Sequence, residues 1–155
     1  MILRKRLMQA LIVFTLLKPC LAQPSTSTFS LTLKLYKDNV KLGSVIKGEI
    51  ILTNISGREI TVYSDRSRYA HPSGFTINLI DDHGKTPALT DAGSVVIGSG
   101  GDQRVPPNGT IEYKLDIQKL YNIVTPGEYH VQAQIIDGKA NQLVKSNTVN
   151  IAVTR

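Results

Sequence analysis

Apolar and polar residues alternate with a period of two along most of this chain. Phe29, Leu31, Leu33 and Leu35 interleave with Ser30, Thr32 and Lys34, the pattern of a strand with one buried face. After a turn at Lys37-Asp38-Asn39, one parity is held by Ile46, Gly48, Ile50 and Leu52 as far as Asn54, while Lys47 and Glu49 take the other. Ser56-Gly57 breaks this strand, and Ile60 and Val62 begin the next. Phe75, Ile77 and Leu79 repeat the alternation and end in the polar turn cluster Asp81-Asp82-His83-Gly84. Residues 85–101 are the least patterned, with Val95-Val96-Ile97 as a short strand inside a glycine-rich loop. Pro106-Pro107-Asn108-Gly109 predicts a sharp turn. Ile111, Tyr113 and Leu115 follow on one face, and residues 117–121 suit a single turn of helix. Tyr129, Val131, Ala133 and Ile135 alternate with His130, Gln132 and Gln134 up to a turn at Asp137-Gly138, and Val149, Ile151 and Val153 complete the series.

Short strands punctuated by turns, with almost no helical periodicity, predict an all-β fold. The expected form is a two-sheet antiparallel immunoglobulin-like sandwich of about seven to nine strands. Its core is expected to centre on Ile50, Leu52, Leu115, Val131 and Ile151. A tyrosine at a strand corner commonly bonds its hydroxyl to nearby backbone, and Tyr121 and Tyr129 are both placed to do so.

The first residues are read separately. Arg4, Lys5 and Arg6 precede an apolar stretch over residues 7–17, too short to span a bilayer and suited to a signal peptide. Cys20-Leu21-Ala22 sets small residues at a cleavage site after Ala22. The expected organisation is a signal peptide over 1–22, a flexible tail over 23–27 and one sandwich domain over 28–155. Lys18 and Pro19 precede Cys20 in place of the small residues that a lipidation signal wants. Four of the 18 basic residues and none of the 12 acids fall in 1–22, so the net charge drops from +6 to +2 beyond the cut. The basic character thus belongs mainly to the leader. With no run of like charge and no interleaved aromatics, a nucleic-acid partner is not expected.

The segment 43–56 (GSVIKGEIILTNIS) resembles the second strand of bacterial immunoglobulin-like accessory domains. The order over 105–131 continues the likeness: a proline-glycine turn, the strand TIEYKLDI, Leu120-Tyr121, then Pro126-Gly127-Glu128-Tyr129. That order is similar to the non-catalytic β-sandwich domain of deuterolysin-like metallopeptidases and to the Bacillus-type intracellular proteinase inhibitor family. The resemblance implies a sandwich scaffold with an accessory or inhibitory role. The exported leader departs from the intracellular setting of the inhibitors.

Catalytic constellations are not found. His71, His83 and His130 lack the i, i+4 spacing of a helical zinc site, and no HExxH is present, so the peptidase metal chemistry is not carried over. Asp81, Asp82 and His83 read as a solvated hairpin tip that would hold a divalent cation only weakly. Gly98-Ser99-Gly100 lacks the following helix of a nucleophile elbow. Asn54-Ile55-Ser56 and Asn108-Gly109-Thr110 have the form of glycosylation acceptors and are read as turns. No enzyme activity, cofactor or metal is expected.

Two segments remain as candidates for recognition. Residues 64–73 (SDRSRYAHPS) carry Arg66, Arg68, Tyr69 and His71 between two strands, and Arg and Tyr are enriched where proteins bind proteins. Residues 95–107, with Arg104, have the length of an inhibitor loop. The sequence leads to an exported, periplasmic or secreted, non-catalytic protein-binding or accessory module. A proteinase inhibitor is the first alternative and an enzyme with an unrecognised site the second, and no membrane insertion is expected after cleavage.

Overall fold

The structure, a computed structural model, describes residues 26–65, 74–91 and 100–155. Among these residues the chain forms ten strands and one helical turn. They are β1 (Phe29–Leu35), β2 (Asn39–Lys41), β3 (Lys47–Asn54), β4 (Ile60–Asp65), β5 (Thr76–Asp81), β6 (Gly100–Val105), β7 (Thr110–Asp116), α1 (Ile117–Leu120), β8 (Gly127–Asp137), β9 (Gln142–Lys145) and β10 (Val149–Thr154). Three of the ten, β2, β6 and β9, are not marked by the alternation of the sequence.

The strands form an immunoglobulin-like sandwich. One sheet has the order β1-β3-β7, the other β2-β10-β8-β5, with β9 also paired to β8. These are the A-B-E and G-F-C neighbours of that fold. The sheets are antiparallel apart from one pair: β2 runs parallel to β10, with Val40 opposite Val153. The chain first pairs β1 with β3, then crosses at residues 36–38 to the other sheet without reversing, which leaves β2 parallel to the last strand. A separate two-stranded ribbon, β4-β6, continues beyond β3 and β7.

Burial follows the period of two. Ile50, Val131 and Ile151 are wholly buried, and Leu52 and Leu115 nearly so, so all five expected core positions lie inside. Burying side chains of this size contributes roughly 1.5–3 kcal/mol each. Phe75 and Tyr113 meet ring to ring at 5.0 Å, joining β7 to the entry of β5. Gly48 permits close approach in the first sheet, since a Cβ there would lie 2.3 Å from the Lys34 carbonyl oxygen.

Both candidate corner tyrosines bond to backbone, in different ways. The Tyr129 hydroxyl donates to the Thr125 carbonyl, 2.8 Å away and four residues upstream, which is the corner at the start of β8. The Tyr121 hydroxyl donates across the core to Ile77 on β5. Burial raises the Tyr121 hydroxyl above its ordinary value, and a hydrogen bond with the Leu79 backbone works against that rise.

Candidate binding site

Buried polar side chains hold the scaffold at three points. Asn54 ends β3 on the same parity as Gly48, Ile50 and Leu52 and has no exposure. Its Nδ2 donates to the carbonyls of Arg58, Val105 and Pro106, and its Oδ1 accepts from the backbone N–H and hydroxyl of Ser56. Asn54 also exchanges backbone bonds with the 106–109 turn, through Gly109 and Asn108. Asn108 takes φ 61° at the third position of that turn, the left-handed conformation that asparagine tolerates better than most residues. The Asn54 carboxamide is fully enclosed in protein, as a strand terminus and not an exposed acceptor.

Asp137 closes the other end of the sandwich. It ends β8 on the buried parity of Tyr129, Val131 and Ala133, and it caps the β8–β9 turn by accepting from the backbone N–H of Lys139 and Ala140. Its second oxygen accepts from the Thr28 backbone N–H at 2.7 Å, the Thr28 hydroxyl at 2.8 Å and the Ser27 hydroxyl at 3.3 Å. Burial alone would raise this carboxyl. The donors from Thr28, Ala140 and Lys139 outweigh burial and hold it below the ordinary carboxylate range. Ser146 completes the set: its hydroxyl accepts from Ala133 and donates to Asn147.

Beside Asp137 the sandwich opens into an apolar cleft of about 330 Å³. It exists because β8 outlasts β5: Thr76–Gln134 is the final rung between them, and β8 continues to Asp137. Its apolar lining is formed by the buried Phe29, Leu52, Ile60 and Tyr113 together with the more exposed Val62, Ile135 and Ile136. Burial pushes the Tyr113 phenol up to about 12, so it stays protonated at neutral pH. Thr28, Thr61, Asp137 and Lys139 bring the polar atoms of the lining.

The residues singled out by sequence fall as follows. Arg66, Arg68, Tyr69 and His71 lie outside the described residues. The segment that carries them follows Asp65, and Asp65 is paired with Gly100 on the β4–β6 ribbon. Of the two candidate segments, the described residues Ser64 and Asp65 pair with Gly101 and Gly100 at one end of the ribbon. Arg104 corrects the expected loop. It lies within β6, paired with Thr61 and 3.8 Å from the Glu59 carboxylate, so residues 100–105 are a strand and not a free extended loop. Gly101, Asp102, Gln103 and Arg104 are all exposed, whereas Val105 and Ile60 are buried in the core.

Asp81, Asp82 and His83 gather at the tip after β5 with possible ligand atoms within 4.8 Å of one another. Asp81 accepts from the backbone of His83 and Lys85, which is the work of a turn carboxylate, and His83 Nδ1 lies 2.6 Å from Asp82. His130 shares a hydrogen bond with Asn150 on the outer face of its sheet.

No family model matches the chain, and no curated protein matches it. Solved structures share its outline at low similarity. A CARDB domain from Pyrococcus furiosus, solved in complex with di-metal ions, has a TM-score of 0.44 at 11% identity, over 84% of this chain and 96% of that one. Pseudomonas fluorescens alkylpurine DNA glycosylase, bound to DNA containing an abasic site analogue, has a TM-score of 0.45 at 10% identity, over 83% of this chain. Listeria innocua β-glucosidase, in complex with glucose, has a TM-score of 0.40 at 15% identity, over 84% of this chain. This chain spans 31% of the glycosylase chain and 17% of the glucosidase chain.

Proposed function

We propose that this chain is an exported, non-catalytic binding module that recognises another protein through the segments joined to the β4–β6 ribbon. The pairing of Asp65 with Gly100 carries the reading. Asp65, the last residue before the segment bearing Arg66, Arg68, Tyr69 and His71, pairs with the first residue of the strand that carries Arg104, and Gly101 to Arg104 of that strand are exposed. Binding segments displayed from a rigid sandwich are a recurrent arrangement. The buried polar groups Asn54, Asp137 and Ser146 are each engaged by backbone or neighbouring hydroxyls, which fits a scaffold role for them.

Export rests on the leader, with its basic residues Arg4, Lys5 and Arg6 and the apolar stretch behind them. Among the described residues no helix is long and apolar enough to cross a membrane. The test is affinity capture from the cell-envelope fraction, with the unmodified protein and an Arg66→Ala, Arg68→Ala, Tyr69→Ala variant side by side. The reading expects one stoichiometric protein partner, lost with the triple variant. A partner retained in full by the variant contradicts it.

A further inference from the structure

We infer that the outer edge of β7 is a pairing surface for a second copy of this chain, joined antiparallel, strand to strand. The strands at the sheet edges are β1, β7, β2, β5 and β9, and free N–H and C=O groups along an edge invite another strand. On β1 the Asn147 side chain occupies that row at Leu33, and on β5 the Tyr121 hydroxyl takes the Ile77 carbonyl. β2 and β9 have three and four residues. β7 is seven residues long, and among the described residues no backbone group bonds to its outer row. Which groups form that row follows from the two ends of the strand. Gly109 and Ile117 bond to Asn54 and Ile46, and the register between them is unbroken, so Ile111, Tyr113 and Leu115 direct their N–H and C=O groups toward β3. Those of Thr110, Glu112, Lys114 and Asp116 point the other way.

The side chains decide the partner and the register. Glu112 and Lys114 are both exposed on β7, and bonded rungs of an antiparallel pair join outward-facing positions of both strands. Centred on Tyr113, two copies overlap along the whole of 110–116. Glu112 then lies opposite Lys114 of the second copy, Lys114 opposite its Glu112, and Thr110 opposite its Asp116. A slip of two residues one way sets Glu112 against Glu112. The same slip the other way sets Lys114 against Lys114 and Glu112 against Asp116. Opposite charges across a rung stabilise and like charges destabilise, so the register with full overlap is also free of like-charge rungs. A lone edge lysine guards against such pairing, and the glutamate two residues away removes that guard in this register. The edge is therefore self-complementary, as a two-fold interface requires. Lys34, Glu49 and Lys114 already alternate in sign across the sheet, and Glu112 of the second copy continues the row. The two β4–β6 ribbons leave from opposite ends of the joint.

The experiment is sedimentation equilibrium of the intact protein up to millimolar concentration, alongside Glu112→Lys, Lys114→Glu and an equimolar mixture of the two variants. Wild type should show a monomer–dimer equilibrium. Each variant alone should associate at least about tenfold more weakly, because two attractive rungs become repulsive. The mixture should dimerise as wild type does, since one chain then brings acids to the joint and the other brings bases. Recovery in the mixture also shows that both variants are folded. Amide exchange gives the position: the N–H groups of Glu112 and Lys114 should gain protection as the wild-type concentration rises. A wild type that stays monomeric throughout would overturn the assignment, as would single variants that associate like wild type. A mixture that fails to recover would do the same, and so would a dimer in which Glu112 and Lys114 gain no protection.

Discussion

The side-chain amide of Asn147 closes on the backbone of Leu33 with both of its polar atoms. Oδ1 accepts from the Leu33 N–H at 2.8 Å, and Nδ2 donates to the Leu33 carbonyl at 3.0 Å. Leu33 is in β1, an edge strand of its sheet, whereas Asn147 lies between β9 and β10 of the other. One side chain thus imitates a rung of a ladder, satisfies an edge that would otherwise be open to another strand, and ties the two sheets together.

Asn147→Ala should therefore cost about 1–2 kcal/mol, since it leaves a donor and an acceptor of Leu33 unpaired near the core. Urea unfolding measures the loss. Amide exchange locates it: the Leu33 N–H should lose protection while Ile50, on the neighbouring strand, keeps it. Unchanged Leu33 exchange would show that the contact contributes nothing.

Asp137 should make stability depend on acid. Its carboxyl is held below the ordinary value in the fold, so its contribution is fully present above the unfolded value, near 4. The contribution is then lost as the pH falls through the lower folded value. Asp137→Asn should melt below wild type at pH 7, and the gap should narrow steadily from about pH 4 downward. Melting curves from pH 7 to 2 test this, and a gap constant over that range would contradict the assignment.

Much of the sandwich is legible in the sequence because its faces differ: one is buried and one wet, and alternation records that difference. The same logic was available for two residues read only as turn formers. Asn54 continues the parity of Ile50 and Leu52, and Asp137 that of Val131 and Ala133, so each was marked as inward-facing by position. Their polar chemistry masked the signal. β6 was invisible for another reason: Gly101, Asp102, Gln103 and Arg104 are all exposed, so no alternation exists to be read. β2 and β9, at three and four residues, are too short to show a period. The cleft depends on β8 outlasting β5, a relation between ladders that no single stretch of sequence contains.

Asn54 offers a sharper test of the buried network. Asn54→Ala should cost about 2–3 kcal/mol, because three carbonyls lose a donor, the Val105 carbonyl among them being buried. Asn54→Asp should be worse, since a carboxylate would face the carbonyl oxygens of Arg58, Val105 and Pro106 without a proton to offer. Thermal melting at pH 7 ranks the two. An aspartate variant as stable as wild type would contradict the described donor pattern.

The central claim, recognition through the segment at the ribbon's end, is tested most directly by the association rate with the captured partner as a function of salt. Arg66 and Arg68 supply steering charge in this account, and steering is screened by ions. Wild type should associate more slowly as salt rises, whereas Arg66→Ala, Arg68→Ala should associate slowly throughout with a flattened dependence and an unchanged melting temperature. A double variant with the wild-type rate and the wild-type salt slope would place recognition elsewhere on the molecule.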